Sequence, residues 1–89
     1  RIGVNVDSIF YEEKRFGSHK YLYSGYTYLE YYDDMPIPMM VCSMQTSTWG
    51  RVITIAYNCP EMFFNEDTYF STISSISYVS PEIRLRLAN

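Results

Sequence analysis

Apolar and polar positions alternate along most of this chain with the two-residue period of strands, and turn residues separate the runs. Ile2, Val4 and Val6 alternate with Gly3 and Asn5 as a short strand or lead-in, and Ile9 to Tyr11 begins the first strong strand. Phe10-Tyr11 and Phe16 frame the charged run Glu12-Glu13-Lys14-Arg15. Gly17-Ser18 then supplies the backbone freedom of a tight hairpin. From Lys20 to Tyr32 the chain carries Tyr21, Tyr23, Tyr26, Tyr28, Tyr31 and Tyr32, with Ser24-Gly25 near the middle. Either Ser24-Gly25 turns a second hairpin or it marks a bulge in one long strand.

Asp33-Asp34-Met35-Pro36-Ile37-Pro38 predicts a loop, because two prolines two residues apart do not fit a central strand. Met39 to Gln45 and Arg51 to Tyr57 predict the next strands, and Asn58-Cys59-Pro60 closes the second of them. Glu61 to Phe64 is compact and apolar, and Asn65-Glu66-Asp67 predicts a turn. Tyr69 to Val79 predicts a return to strand; the three-residue spacing of Ile73 and Ile76 leaves a short helical turn around Ser71 to Ser75 as the alternative. Ile83, Leu85 and Leu87 against Arg84 and Arg86 predict an amphipathic edge strand. No run has the pattern of a helix of about ten residues or more, so the fold class expected is all-β.

Length and charge narrow this further. A chain of 89 residues is expected to be one domain, residues 1–89, with a thin core. The net charge of −3 and pI near 4.9 argue against a nucleic-acid partner. No apolar run approaches the roughly 18–20 residues of a membrane span. The start at Arg1 rather than Met fits a processed product, and with it a secreted or extracellular setting rather than a cytoplasmic one. In that setting Cys42 and Cys59 are a candidate disulfide; in a reducing one they are inert thiols.

Catalytic chemistry finds little to work with. Glu12-Glu13 are strand neighbours on opposite faces followed by two cations, which suits a solvated hairpin better than an acid–base pair. His19 has no metal-ligand or triad spacing around it, and the Ser/Thr-rich stretches lack a Gly-x-Ser-x-Gly elbow. No enzyme is expected. The tyrosines, ten in all, are the distinctive feature, because the ring packs while the hydroxyl stays wet. Tyr21, Tyr23, Tyr26, Tyr28 and Tyr31 form the candidate surface for a protein or glycan partner, with the core expected to claim part of the set.

The run Phe10-Tyr11-Glu12-Glu13-Lys14-Arg15-Phe16-Gly17, followed by Tyr21, resembles the first Greek-key motif of the βγ-crystallin family. Asp33-Asp34 and Val41 fit the close of that motif, Trp49 and Tyr57 resemble the opening of a second, and Ile73-Ser74-Ser75 its end. The resemblance implies a small Greek-key β-sandwich of two motifs, about 1–45 and 46–89, each lending its third strand to the other's sheet. It implies a structural or binding role and, because microbial members bind calcium through such an acidic pair, Asp33 and Asp34 as ligands; Ile37-Pro38 stand where the family places hydroxyls. The second expectation is a secreted recognition module, a toxin, inhibitor or receptor- or glycan-binding subunit, that uses the tyrosines.

A local reading of the middle competes with that topology. A type II′ turn at Gly50-Arg51 would set Cys42 opposite Cys59, Met44 opposite Tyr57 and Thr46 opposite Ile55. One face would then carry Cys42, Met44, Ile53, Ile55, Tyr57 and Cys59, and the other Ser43, Gln45, Ser47, Thr54 and Asn58. These segments would share one sheet, where the crystallin arrangement separates them.

Overall fold

A computed structural model describes residues 2–78. Strands β1 (Ile2–Phe16), β2 (His19–Tyr32), β3 (Met35–Thr48) and β4 (Arg51–Pro60) are followed by a single 3₁₀ turn, Glu61–Phe63, and a helix α1, Glu66–Ser74. The strands form one antiparallel sheet in the order β1-β2-β3-β4. The β-rich class expected from alternation is therefore present. The order is a meander, with β4 beside β3, whereas a Greek key brings the fourth strand back beside the first.

Three two-residue turns fix this order. Gly17 has φ +63° while Ser18 keeps a negative φ, as a type II′ turn requires. Asp33 and Asp34 at φ 49° and 63°, and Trp49 and Gly50 at 52° and 71°, are both left-handed at each central position, the type I′ pattern. The β3–β4 hairpin is thus real, but it turns at Trp49-Gly50, one residue earlier than Gly50-Arg51. Its register moves by two: Cys42 lies opposite Tyr57, Met44 opposite Ile55 and Thr46 opposite Ile53. An even shift preserves the faces, so the expected partition of β3 and β4 side chains survives the wrong register.

Other expectations are corrected. Ser24-Gly25 neither turns nor bulges; β2 runs through it, opposite Ser43 and Cys42. The irregularity lies across the ladder, where Val6 to Ile9 of β1 stand opposite Tyr26 alone, between the pairs Asn5–Thr27 and Phe10–Gly25. There the Ser8 hydroxyl donates to the Asn5 carbonyl at 2.6 Å and accepts the Thr27 N–H at 2.7 Å, standing in for a ladder carbonyl. Met35 to Pro38 is strand rather than loop, pairing with Tyr32 to Leu29. Both prolines fit because they have the same parity and β4 reaches only as far as Met39, so their missing N–H groups face a side with no partner strand among the described residues.

The helical alternative holds rather than the strand, and the helix is longer than a turn around Ser71 to Ser75, running from Glu66 to Ser74. Asn65 caps it, its Oδ1 accepting the Thr68 N–H at 3.1 Å, and Glu66 and Asp67 place negative charge in the first turn. Tyr69, Ile73 and Ile76 recur at the helical spacing of four and three. The amphipathic segment Ile83 to Leu87 lies outside the described residues.

The helix covers one face of the sheet, over its β1–β2 turn end. The buried core comprises Tyr21, Tyr23, Cys42 and Met44 from the sheet with Tyr69 and Ile73 from α1, flanked by Phe10, Phe16, Ile55 and Phe70. Gly25 is buried here against Phe10, whose ring stands edge-on to Tyr23 at 4.8 Å.

Candidate functional site

Strand alternation splits the five candidate tyrosines between two environments. Tyr21 and Tyr23 point under α1 and are 2% and 1% exposed, so they belong to the core and not to a partner surface. Their hydroxyls are committed inward. The Tyr21 and Tyr78 hydroxyls are 2.7 Å apart, and Tyr23 donates to Glu66 Oε2 at 3.1 Å. Burial first, then these bonds, pushes both phenols well above their ordinary range. Tyr69 donates to the Ile55 carbonyl at 2.7 Å, and Thr46 to the Lys20 carbonyl at 2.9 Å. Among the described residues, no buried side-chain polar atom lacks a partner.

This polar interior fastens the helix to the sheet, and nothing in it is poised to react. Cys42 lies in it with its thiol pushed up to about 11, chiefly by burial. The candidate disulfide to Cys59 is not formed, and both cysteines are free. The register gives the reason. Cys42 faces Tyr57 and Cys59 faces Met40, so the two are diagonal neighbours, and diagonal Cα atoms about 7–8 Å apart exceed disulfide reach.

Among the described residues, no element covers the other face. Pairing places on it Val4, Tyr26, Tyr28, Ile37, Met39 and Val41, which line its half toward the Asp33-Asp34 turn. Tyr26 and Tyr28 are half-buried by one another, rings 6.2 Å apart, and by their cross-strand neighbours Val41 and Met39. Tyr32 and Met35, 54% and 65% exposed, extend the patch to the sheet end. Toward the β1–β2 turn the face is mixed, with Ser24 and Ser43 hydroxyls 3.2 Å apart and Gln45 donating to Thr54 at 3.3 Å beside exposed Tyr11, Leu22 and Val52. Tyr31 is exposed but lies on the helix-covered side, away from Tyr26 and Tyr28.

No family model, curated protein or solved structure matches this chain. The open face is therefore read from its own chemistry. Sequence reasoning missed Val4, Ile37, Met39 and Val41 as members of it. The alternation Met35, Ile37, Met39, Val41 is visible in the chain, but the intervening prolines disguised it as a loop.

The remaining candidates stand apart. Asp33 and Asp34 are exposed at adjacent positions of a two-residue turn, and among the described residues no three or more His, Cys, Asp or Glu side chains cluster in a way that could hold a metal. Met35 and Pro36 follow them with no side-chain oxygen, so the donors fit calcium poorly. Glu12 and Glu13 point to opposite faces, each to a lysine: Glu12 to Lys14 at 3.3 Å and Glu13 to Lys20 at 3.6 Å. The His19 ring packs on Tyr78, centroids 4.7 Å apart. No helix among the described residues is long and apolar enough to cross a membrane.

Proposed function

We propose that this chain is a non-enzymatic binding domain that holds a protein partner on the open face of its sheet. The observation that carries the proposal is the contrast between the two faces. The polar groups of the helix side are satisfied by each other, whereas the far side leaves Tyr26, Tyr28, Ile37, Met39 and Val41 on a sheet surface over which, among the described residues, no layer lies. Contiguous half-buried aromatic, methionine and β-branched side chains, with exposed Tyr32 and Met35 at the sheet end and Glu30 as the charge among them, are the composition of an interface centre with a polar margin. The protein reading is favoured over a glycan because the patch presents mostly aliphatic groups around two tilted rings, with its hydroxyls and amides at the other end. A secreted setting belongs to the same proposal. The βγ-crystallin kinship is not carried into it, because that arrangement needs a second sheet and a return connection.

Methionine oxidation tests this reading. Met35 and Met39 report on the open face, Met62 at 82% exposure is the accessible reference, and Met44 at 0% is the buried one. In the dilute purified chain a pulse of peroxide is expected to oxidise Met35 and Met39 readily, relative to Met44. In an unfractionated extract of the source, both are expected to be protected while Met62 is not. Equal oxidation of Met35 and Met39 in the two settings would remove the basis for the proposal.

A further inference from the structure

We infer that the partner on the open face is a second copy of this chain, packed sheet on sheet with its strands antiparallel to the first; this rests on the binding role proposed above. The area fits. Strands of 15, 14, 14 and 10 residues at about 3.3 Å per residue, side by side at about 4.8 Å, give a face of roughly 800 Å², which is what each partner contributes to a standard interface.

The charges specify the orientation. On β2 the open face carries Lys20 at one end and Glu30 at the other, with only Leu22, Ser24, Tyr26 and Tyr28 between them. The β3 and β4 positions alongside, from Ile37 to Ser47 and from Val52 to Asn58, add no charge, while β1 adds Glu13 and Arg15 at the margin, opposite Leu22 and Lys20. Gly25 is midway between Lys20 and Glu30. A twofold axis lying in the plane between two sheets, perpendicular to the strands and crossing β2 at Gly25, therefore sets Glu30 of each copy over Lys20 of the other. It also brings Tyr28 over Leu22. An axis along the strands over β2 would instead stack Lys20 on Lys20 and Glu30 on Glu30, and like charges across an interface are selected against. Lys20 already reaches Glu13 within its own chain at 3.6 Å, both groups being solvent-exposed, so it can be shared between two carboxylates. The result is an isologous pair in which each contact occurs twice.

Sedimentation equilibrium of the full chain, combined with circular dichroism to verify the fold, tests this. The 10.5 kDa chain is expected to sediment at twice its mass at tens of micromolar. Val41→Lys, at the middle of the open face, is expected to give a folded monomer. Lys20→Glu and Glu30→Lys, each alone, are expected to weaken the dimer about tenfold, and the double charge swap to restore it. A wild-type monomer at several hundred micromolar overturns the inference, as does a dimer indifferent to Val41→Lys, which would place the contact elsewhere, for instance on the β1 edge. Failure of the charge swap to restore affinity overturns the antiparallel arrangement. A monomer whose Met35 and Met39 are protected in the source extract refutes the second copy and leaves the binding role to another protein; a monomer unprotected there refutes both. If the purified monomer already protects Met35 and Met39 at any dilution, its own chain is the cover and the dimer is refuted.

Discussion

Gly25→Ala is the substitution on which the sheet geometry bears most directly. A methyl at this position would overlap the Val41 carbonyl oxygen and would sit 2.9 Å from Cε1 of Phe10 and 3.0 Å from Cβ of Cys42. The Phe10 ring can swing, but Val41 is backbone in the central β2–β3 ladder and yields only if that ladder moves. The backbone dihedral of Gly25 is not left-handed, so the penalty is steric alone. Overpacking of this kind costs about 1–3 kcal/mol, against which the reduced freedom of the unfolded chain returns about 0.4–1 kcal/mol. The net loss is roughly 1–2 kcal/mol out of a total stability of about 4–13 kcal/mol for a chain of this size. At about 4–8 °C per kcal/mol the midpoint should fall by roughly 5–15 °C.

Thermal unfolding followed by circular dichroism reads this directly, with Gly3→Ala as the matched control. Gly3 is also a strand glycine, but nothing lies within 4 Å of where its Cβ would stand. Its variant should unfold at or slightly above the wild-type temperature. A Gly25→Ala midpoint at or above wild type would refute the close approach, and equal losses at both sites would show a general effect of glycine replacement instead.

Removing the helix cap with Asn65→Ala should cost about 1 kcal/mol and lower helical signal before sheet signal on heating, as monitored by far-ultraviolet circular dichroism. Cys42, raised from its ordinary 9.0 to about 11 by burial, holds its proton more tightly folded than unfolded. The associated stability is complete below pH 9 and lost between pH 9 and 11, so urea midpoints should fall across that window and Cys42→Ala should delay the fall until the tyrosines titrate. Alkylation at pH 8 should mark Cys59 first and reach Cys42 only on unfolding. Millimolar calcium should leave the thermal midpoint where it is, since Asp33 and Asp34 lack further side-chain donors; a clear upward shift would restore the acidic pair as a site.

The parts of this fold legible in the chain were those written in period two and in turn chemistry. Gly17-Ser18 was found directly, and the break between Val6 and Ile9 in the first alternating run coincides with the bulge of β1. The faces of β3 and β4 were right although the register was wrong by two, because the side-chain pattern repeats every two residues and cannot distinguish Trp49-Gly50 from a turn one step later. Helix α1 was legible only as an alternative turn around Ser71 to Ser75, and its full extent was hidden for a different reason. Ser71, Thr72, Ser74 and Ser75 are weak helix formers, and what holds the segment is the cap at Asn65 together with Tyr69 and Ile73 buried on the sheet, contacts invisible in propensity. For the candidate site, the tyrosine run spans both faces of the sheet. Alternation divided it, sending Tyr21 and Tyr23 inward and leaving Tyr26 and Tyr28 outside. The neighbours that complete the outer patch come from β3 and needed the hairpin to be known.

Pro36 and Pro38 have a consequence for solubility. Where β4 stops, β3 has no further partner strand among the described residues, and such a border is a place where stray strands would otherwise dock and seed aggregates. Two prolines of the same parity deny such an intruder its donors along that border. On the opposite margin the four-residue bulge of β1 breaks the straight run that a growing fibril would copy. The molecule is thus guarded against open-ended growth in the plane of its sheet, and the direction left free for association is perpendicular to it, where a closed pair can form and stop.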